Sequence, residues 1–189
     1  MENLLKQIRS CRVCEEHLES GVNPVVAATP QSRIIIIGQA PGRIVHNSGV
    51  PWDDKSGDNL RSWLEIDKAT FYNEEIIALM PMGFCYPGKN KTGDLPPRRE
   101  CAPLWHDKLL ALMKDAKLVL LIGQYAQRYY LRDQAESALT ETVRNFRSYL
   151  PTYFPLPHPS PRNFIWQAKN SWFGNEVLPE LKRRIHEII

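Results

Sequence analysis

Apolar positions in this chain fall into a few short runs separated by longer mixed stretches, and that spacing is the first guide to its elements. Ile34–Ile37 is a run of four isoleucines closed by Gly38, the pattern of a strand covered on both faces. Residues 75–80 (EIIALM) and 117–123 (KLVLLIG) repeat it, and 153–157 (YFPLP) predicts a short fourth strand. Between the strands, apolar residues return at helical spacing. Leu4, Leu5 and Ile8 predict an amphipathic helix over 1–10; Leu60, Trp63 and Leu64 predict another, opened by Ser56, Gly57 and Asp58. Further helices are predicted from 97 to about 114, over 124–131, and from about 174 to 189, where Leu178, Leu181, Ile185, Ile188 and Ile189 form one apolar face. Residues 133–150 fit helix and loop equally. Residues 15–32, with Pro24 and Pro30, read as a loop or arm, 42–57 as a long polar loop, and 87–97 (PGKNKTGDLPP) as a Pro/Gly-rich loop. Strands alternating with helices imply α/β organisation, parallel pairing and right-handed crossovers.

The stretch that organises the rest is RIIIIGQAPG, residues 33–42. Gly38 and Gly42 permit backbone angles that other residues resist, and Pro41 fixes its own. A rigid turn at the carboxyl end of a buried strand is where open α/β sheets place ligands. The turn is therefore expected to wall an active site.

Composition changes this picture little. The 189 residues suit one domain, 1–189, with 1–32 as an N-terminal arm. Hydrophobic content of 43% and charged content of 24% are those of an ordinary soluble protein. No apolar run nears the roughly 20 residues that span a bilayer. The N-terminus lacks a secretory pattern, so a cytoplasmic protein is expected. A net charge of +3 permits nucleic-acid binding without requiring it.

Four cysteines stand out: Cys11, Cys14, Cys85 and Cys101. Disulfides are uncommon in a reducing compartment, and the C-x-x-C with two distant partners suits a four-thiolate metal site. An iron–sulfur cluster, a structural zinc, and a chance C-x-x-C with two buried thiols all remain open on spacing alone.

Gly38-Gln39-Ala40-Pro41-Gly42 after a buried strand, with His158-Pro159-Ser160-Pro161-Arg162-Asn163 after a late one, resembles the uracil-DNA glycosylase superfamily. The nearest branch is the iron–sulfur, family-four type, whose motifs read G-E-A-P-G and then G-x-P-F. Here the second is Gly49-Val50-Pro51-Trp52. The four cysteines match that branch in order; Cys85-Tyr86-Pro87-Gly88 resembles its C-R-P-P-G, and Cys101 follows sixteen residues after Cys85. The resemblance covers nearly the whole chain. It implies a three-layer α/β/α sandwich with a central four-stranded parallel sheet. It also implies a structural [4Fe–4S] cluster on the four cysteines, with zinc as the alternative. The implied partner is DNA carrying a damaged or deaminated base, bound by a monomer.

An enzyme acting on a base must take it out of the duplex. Trp52 stands at the position of the family's stacking phenylalanine, and Ala40, Pro41, Gly42 and Met82 complete the expected base pocket. His158, held between two prolines, is the candidate donor to the departing base. Ser160, Arg162 and Asn163 are expected on the DNA, and Lys89, Lys91, Arg98 and Arg99 are candidate phosphate contacts beside the plain reading of a solvated surface. The chain departs from the family at three places. Gln39 replaces the acidic residue and cannot act as a general base. The second expected carboxylate is replaced at Val45-His46-Asn47, which leaves Gln39, His46 or Asn47 to position water, with Asp53 and Asp54 nearby to supply charge. The asparagine that reads uracil is absent from Met80-Pro81-Met82. A KRRIH string at 182–186, known from a related branch, lies in the predicted terminal helix and is set aside as coincidence. The leading expectation is hydrolysis of an N-glycosidic bond in DNA. The alternatives are a nucleic-acid-binding protein without catalysis on the same scaffold, and a zinc-stabilised domain with an unrelated small-molecule pocket.

Overall fold

The structure, a computed structural model, describes residues 1–91 and 93–189; Thr92, inside the predicted 87–97 loop, lies outside the described residues. Its centre is a parallel sheet of β1 (Ile34–Ile37), β2 (Ile77–Leu79), β3 (Leu118–Ile122) and β4 (Tyr153–Leu156), in the order β2-β1-β3-β4. Ile34 pairs with Ile77 on one side and Leu118 on the other, so β1 is interior.

Alternation along the strands sorts the core into two layers. Ile35, Ile37, Ala78, Val119 and Leu121 face α1 (Glu2–Arg9), α5 (Cys101–Leu110) and α6 (Gln124–Leu131). Ile34, Ile36, Leu79, Leu120 and Phe154 face α3 (Lys55–Leu64), α4 (Lys68–Phe71), α7 (Leu139–Arg144) and α9 (Leu178–Ile188). Two further short helices, α2 (Arg43–Ser48) and α8 (Phe164–Lys169), lie in the connections after β1 and β4. The three-layer sandwich and the four-stranded parallel sheet are therefore as expected.

Several local expectations are corrected. The 42–57 stretch is not one loop: α2 fills its first half, since no Gly or Pro interrupts 43–48, and it stops at Gly49 in the left-handed region, φ 71°. Helix α3 begins at Lys55 because Asp54 caps it, accepting the Gly57 N–H at 2.8 Å. The helix expected from 97 starts only at Cys101; Pro96 and Pro97 hold the chain out of helix, and Pro103 sits in the first turn, where no N–H is needed. The terminal helix opens with a π turn, Phe173–Val177, before Pro179, which cannot supply the next N–H. The ambiguous 133–150 region is α7 flanked by single 3₁₀ turns. The arm is tied to the sheet: Ala27 and Leu79 exchange both backbone hydrogen bonds, at 3.1 and 2.7 Å.

Candidate active site

Loops from the carboxyl ends of β1, β2 and β4 surround one cavity of about 630 Å³. The β1 turn supplies Gly38, Gln39, Ala40, Pro41 and Gly42. Its backbone is extended by β2's ladder: Met82 N–H donates to Gly38 O at 2.8 Å and Gly83 N–H to Gln39 O at 3.0 Å. Gly42 has φ −78°, so the expected need for unusual backbone angles is not met there. What Gly38 supplies is space. A Cβ on it would lie 2.7 Å from Trp52 Cζ2, because the indole lies across it.

Trp52 is held in a conformation rare for a large side chain, φ 57°. Its carbonyl accepts from the buried Arg61 Nη1 at 3.3 Å, and Arg61 is itself held by Asp58 at 2.6 Å and lies over Phe71. The other side of the Trp52 carbonyl rests on Gly57.

His158 reaches the same cavity from β4. Its ring centroid is 6.0 Å from that of Trp52. Three amides fix the loop that carries it. Buried Gln127 donates to Leu156 O at 2.9 Å, Asn163 to His158 O at 2.6 Å, and Asn59 of α3 to Pro159 O at 2.9 Å. Desolvation lowers the His158 pKa below its ordinary 6.5, partly opposed by the fields of Asp54 and Asp94. The imidazole is thus neutral at pH 7 and offers one N–H and one lone pair. A second histidine, His106, is wholly buried under the cavity floor: Nε2 stands 3.1 Å from Pro81 O and Nδ1 2.7 Å from the Tyr130 hydroxyl.

The remaining candidates divide. Ser160 and Arg162 line the cavity with Lys89 and Lys91. His46, Asn47, Met82 and Asn163 are not part of the lining. His46 turns toward the arm, Nε2 3.1 Å from Ser20 O, while its own carbonyl accepts from Asn23 at 2.6 Å. Asn47 is exposed on α2, and Met82 packs in the core. Asn163 spends its amide on the His158 carbonyl. Arg98 pairs with Glu100 next to Cys14. The KRRIH string lies on α9, with Ile185 buried and His186 exposed beside Glu65, outside the cavity.

Among the lining residues that the sequence does not single out, two carry polar groups of interest. Asp94 comes from a turn whose long-range placement no local pattern reveals. Tyr86 follows Cys85 directly, so its place at the end of β2 was the available signal. Tyr86 is 1% exposed, yet its hydroxyl has no hydrogen-bond partner among the described residues. A buried hydroxyl without a partner costs the fold free energy. Tyr86→Phe is therefore expected to hold or raise folding stability, by up to about 2 kcal/mol. Thermal unfolding checks this; a loss of that size would show the hydroxyl already engaged.

The cysteines gather at the other side of the β2 loop. Cys14 and Cys85 pack together with Leu18, and Cys101 opens α5; Cys101 feels the field of the other three thiols, Cys85 that of Cys11 and Cys14, and Cys14 that of Cys11. Burial pushes Cys85 up to about 11 and Cys101 to about 12. Backbone N–H groups of Asn23 and Phe84 point at the sulfurs of Cys85 and Cys101. Among the described residues, no three His, Cys, Asp or Glu side chains form a group already placed to hold a metal ion. No helix among them is long and apolar enough to cross a membrane.

With the cavity described, one comparison bears on it: the family model for the Uracil DNA glycosylase superfamily matches residues 26–182.

Proposed function

The chain belongs to the uracil DNA glycosylase superfamily, and from that premise we propose that it hydrolyses the N-glycosidic bond of uracil or of another deaminated or damaged base in DNA. Membership supports a DNA glycosylase-like function in general, a hydrolase of DNA repair. The finer reading rests on one observation: the β1 turn, Trp52 and His158, far apart in sequence, line the same cavity at the carboxyl edge of the sheet.

In this reading the nucleotide leaves the duplex and its base enters beside Trp52. As the C1′–N bond lengthens, negative charge grows on the base and positive charge on the sugar. The neutral His158 N–H, desolvated and held by its clamped loop, stabilises the base's oxygen. The Gln39 amide, in the turn pinned to Gly83, orients water without taking its proton. Ser160, Arg162, Lys89 and Lys91 around the rim meet phosphates. Without an asparagine at Met80-Pro81-Met82, two-point reading of uracil has no donor there, and Tyr86 supplies a single hydroxyl instead.

The test is a panel of single and double strands carrying uracil, hypoxanthine, xanthine or hydroxymethyluracil, treated with the protein and then with alkali. Strand breaks at one or more of these bases are expected. Tight binding with no break at any of them would contradict the reading.

The four cysteines are proposed to hold a [4Fe–4S] cluster, with zinc as the alternative. Their chemistry fits the group: four thiols, none in a disulfide, with backbone N–H groups directed at two sulfurs. Such a cluster supplies a structural tie between the arm, the β2 loop and α5. Protein purified without air is expected to be brown and to carry about four irons per chain, with Cys85→Ser losing both and melting lower. Metal analysis and absorbance check this; stoichiometric zinc in a colourless protein would contradict it.

A further inference from the structure

Hydrolysis of an N-glycoside consumes water: its oxygen bonds to C1′, the C1′–N pair leaves with the base, and a water proton must be taken up. Among the described residues, two carboxylates line the cavity, Asp54 and Asp94. Asp54 is committed as the cap of α3, its Oδ1 accepting from Gly57 N–H at 2.8 Å. Gln39 cannot take a proton, and His158 serves the base.

Asp94 is placed differently. It lies on a tight hairpin in which Lys89 and Asp94 pair antiparallel. Asn90 N–H donates to Gly93 O at 2.8 Å and Leu95 N–H to Gly88 O at 2.9 Å. Gly88 and Gly93 take positive φ, 91° and 147°, which lets the chain reverse so sharply. The hairpin folds back over the β1 turn: Asp94 Oδ2 stands 3.7 Å from where a Cβ on Gly42 would be. Among the described residues, its carboxylate makes no side-chain hydrogen bond or ion pair, and it is exposed at the mouth of the cavity. Trp52 and Asp94 line the same cavity, so in the glycosylase reading a base beside Trp52 would leave its sugar toward the exposed Asp94.

We propose that Asp94 is a catalytic residue of this site, the carboxylate that faces the sugar, stabilises its developing positive charge and takes the proton of the attacking water. The atoms balance: water's oxygen ends on C1′, one proton passes to Asp94, and the base leaves as an anion that is then protonated, Asp94 returning its proton to solvent. This assignment rests on the glycosylase reading above. It places the general base on a hairpin far from the β1 turn in sequence, although the two meet in space.

The test uses the full-length wild type and the variants Asp94→Asn, Asp94→Glu and Asp54→Asn on whichever duplex the wild type cleaves in the panel. Single-turnover rate, DNA affinity and melting temperature are read for each. Asp94→Asn is expected to lose on the order of 10²-fold in rate, with affinity held or raised and melting unchanged, and Asp94→Glu to recover part of the rate. A purely structural role would move melting and affinity together and would not be rescued by Glu. If Asp94→Asn matches the wild type, or only Asp54→Asn loses the rate, the assignment is overturned while the glycosylase reading stands. If the wild type releases no base from any duplex or single strand, both fall.

Discussion

Replacing His158 by alanine is expected to slow base release by on the order of 10²–10³-fold while DNA binding and folding persist. The loop that carries it is held by amide groups of Gln127, Asn59 and Asn163 on backbone carbonyls, so the substitution removes the imidazole and leaves its support. The pH dependence has a definite sign. Because the folded pKa lies below 6.5, the ring stays neutral as pH falls to that value and is protonated only below it. Protonation there sets a full positive charge next to a sugar that is itself becoming cationic. The rate should therefore be level from pH 8 to about 6.5 and fall in more acidic solution. Stability follows the same direction, since the unfolded chain binds this proton at higher pH than the folded one. Single-turnover rates across pH, for wild type and His158→Ala, check the first statement, and thermal unfolding across pH checks the second. An Ala variant with wild-type rate would remove His158 from the chemistry.

Gly57→Ala is expected to cost about 3 kcal/mol or more of folding stability. A Cβ there would lie 1.8 Å from the Trp52 carbonyl oxygen, which is backbone and cannot step aside as a side chain can. Arg61 holds that carbonyl from the other side, so relief requires breaking its hydrogen bond and moving Trp52 off Gly38. Activity should fall with stability, because the same displacement opens the base pocket. Gly174→Ala is the comparison: nothing lies within 4 Å of a Cβ there, and its melting temperature should stay near wild type. Equal melting of the two variants would show that Trp52 is not wedged as described.

These two glycines show how much of the molecule could be read from its sequence. The four strands, their parallel pairing and the amphipathic helices follow from runs such as Ile34–Ile37 and the spacing of Leu181 and Ile185, because local periodicity reports directly which face is buried. Trp52 and His158 were legible as candidates because each sits in a short motif at the end of an element. Gly38 suggests backbone freedom, yet its use is to leave room for an indole, a contact 14 positions away that no local pattern contains. His46 and Asn47 are candidates only because they stand where the resembled family carries its second carboxylate. Helix α2 instead turns His46 to the Ser20 carbonyl and leaves Asn47 on the surface. Asp94 is illegible for another reason: the bonds that close its hairpin are local, but its place over Gly42, 52 positions earlier, is a tertiary contact.

The central claim is that this cavity accepts an extruded base and severs it from its sugar. Its most direct measurement is the product itself: mass spectrometry of a duplex carrying one damaged base after incubation with the protein. Free base and an abasic strand in equal amounts are expected. An intact strand, or a released nucleoside or nucleotide in place of the base, would contradict it.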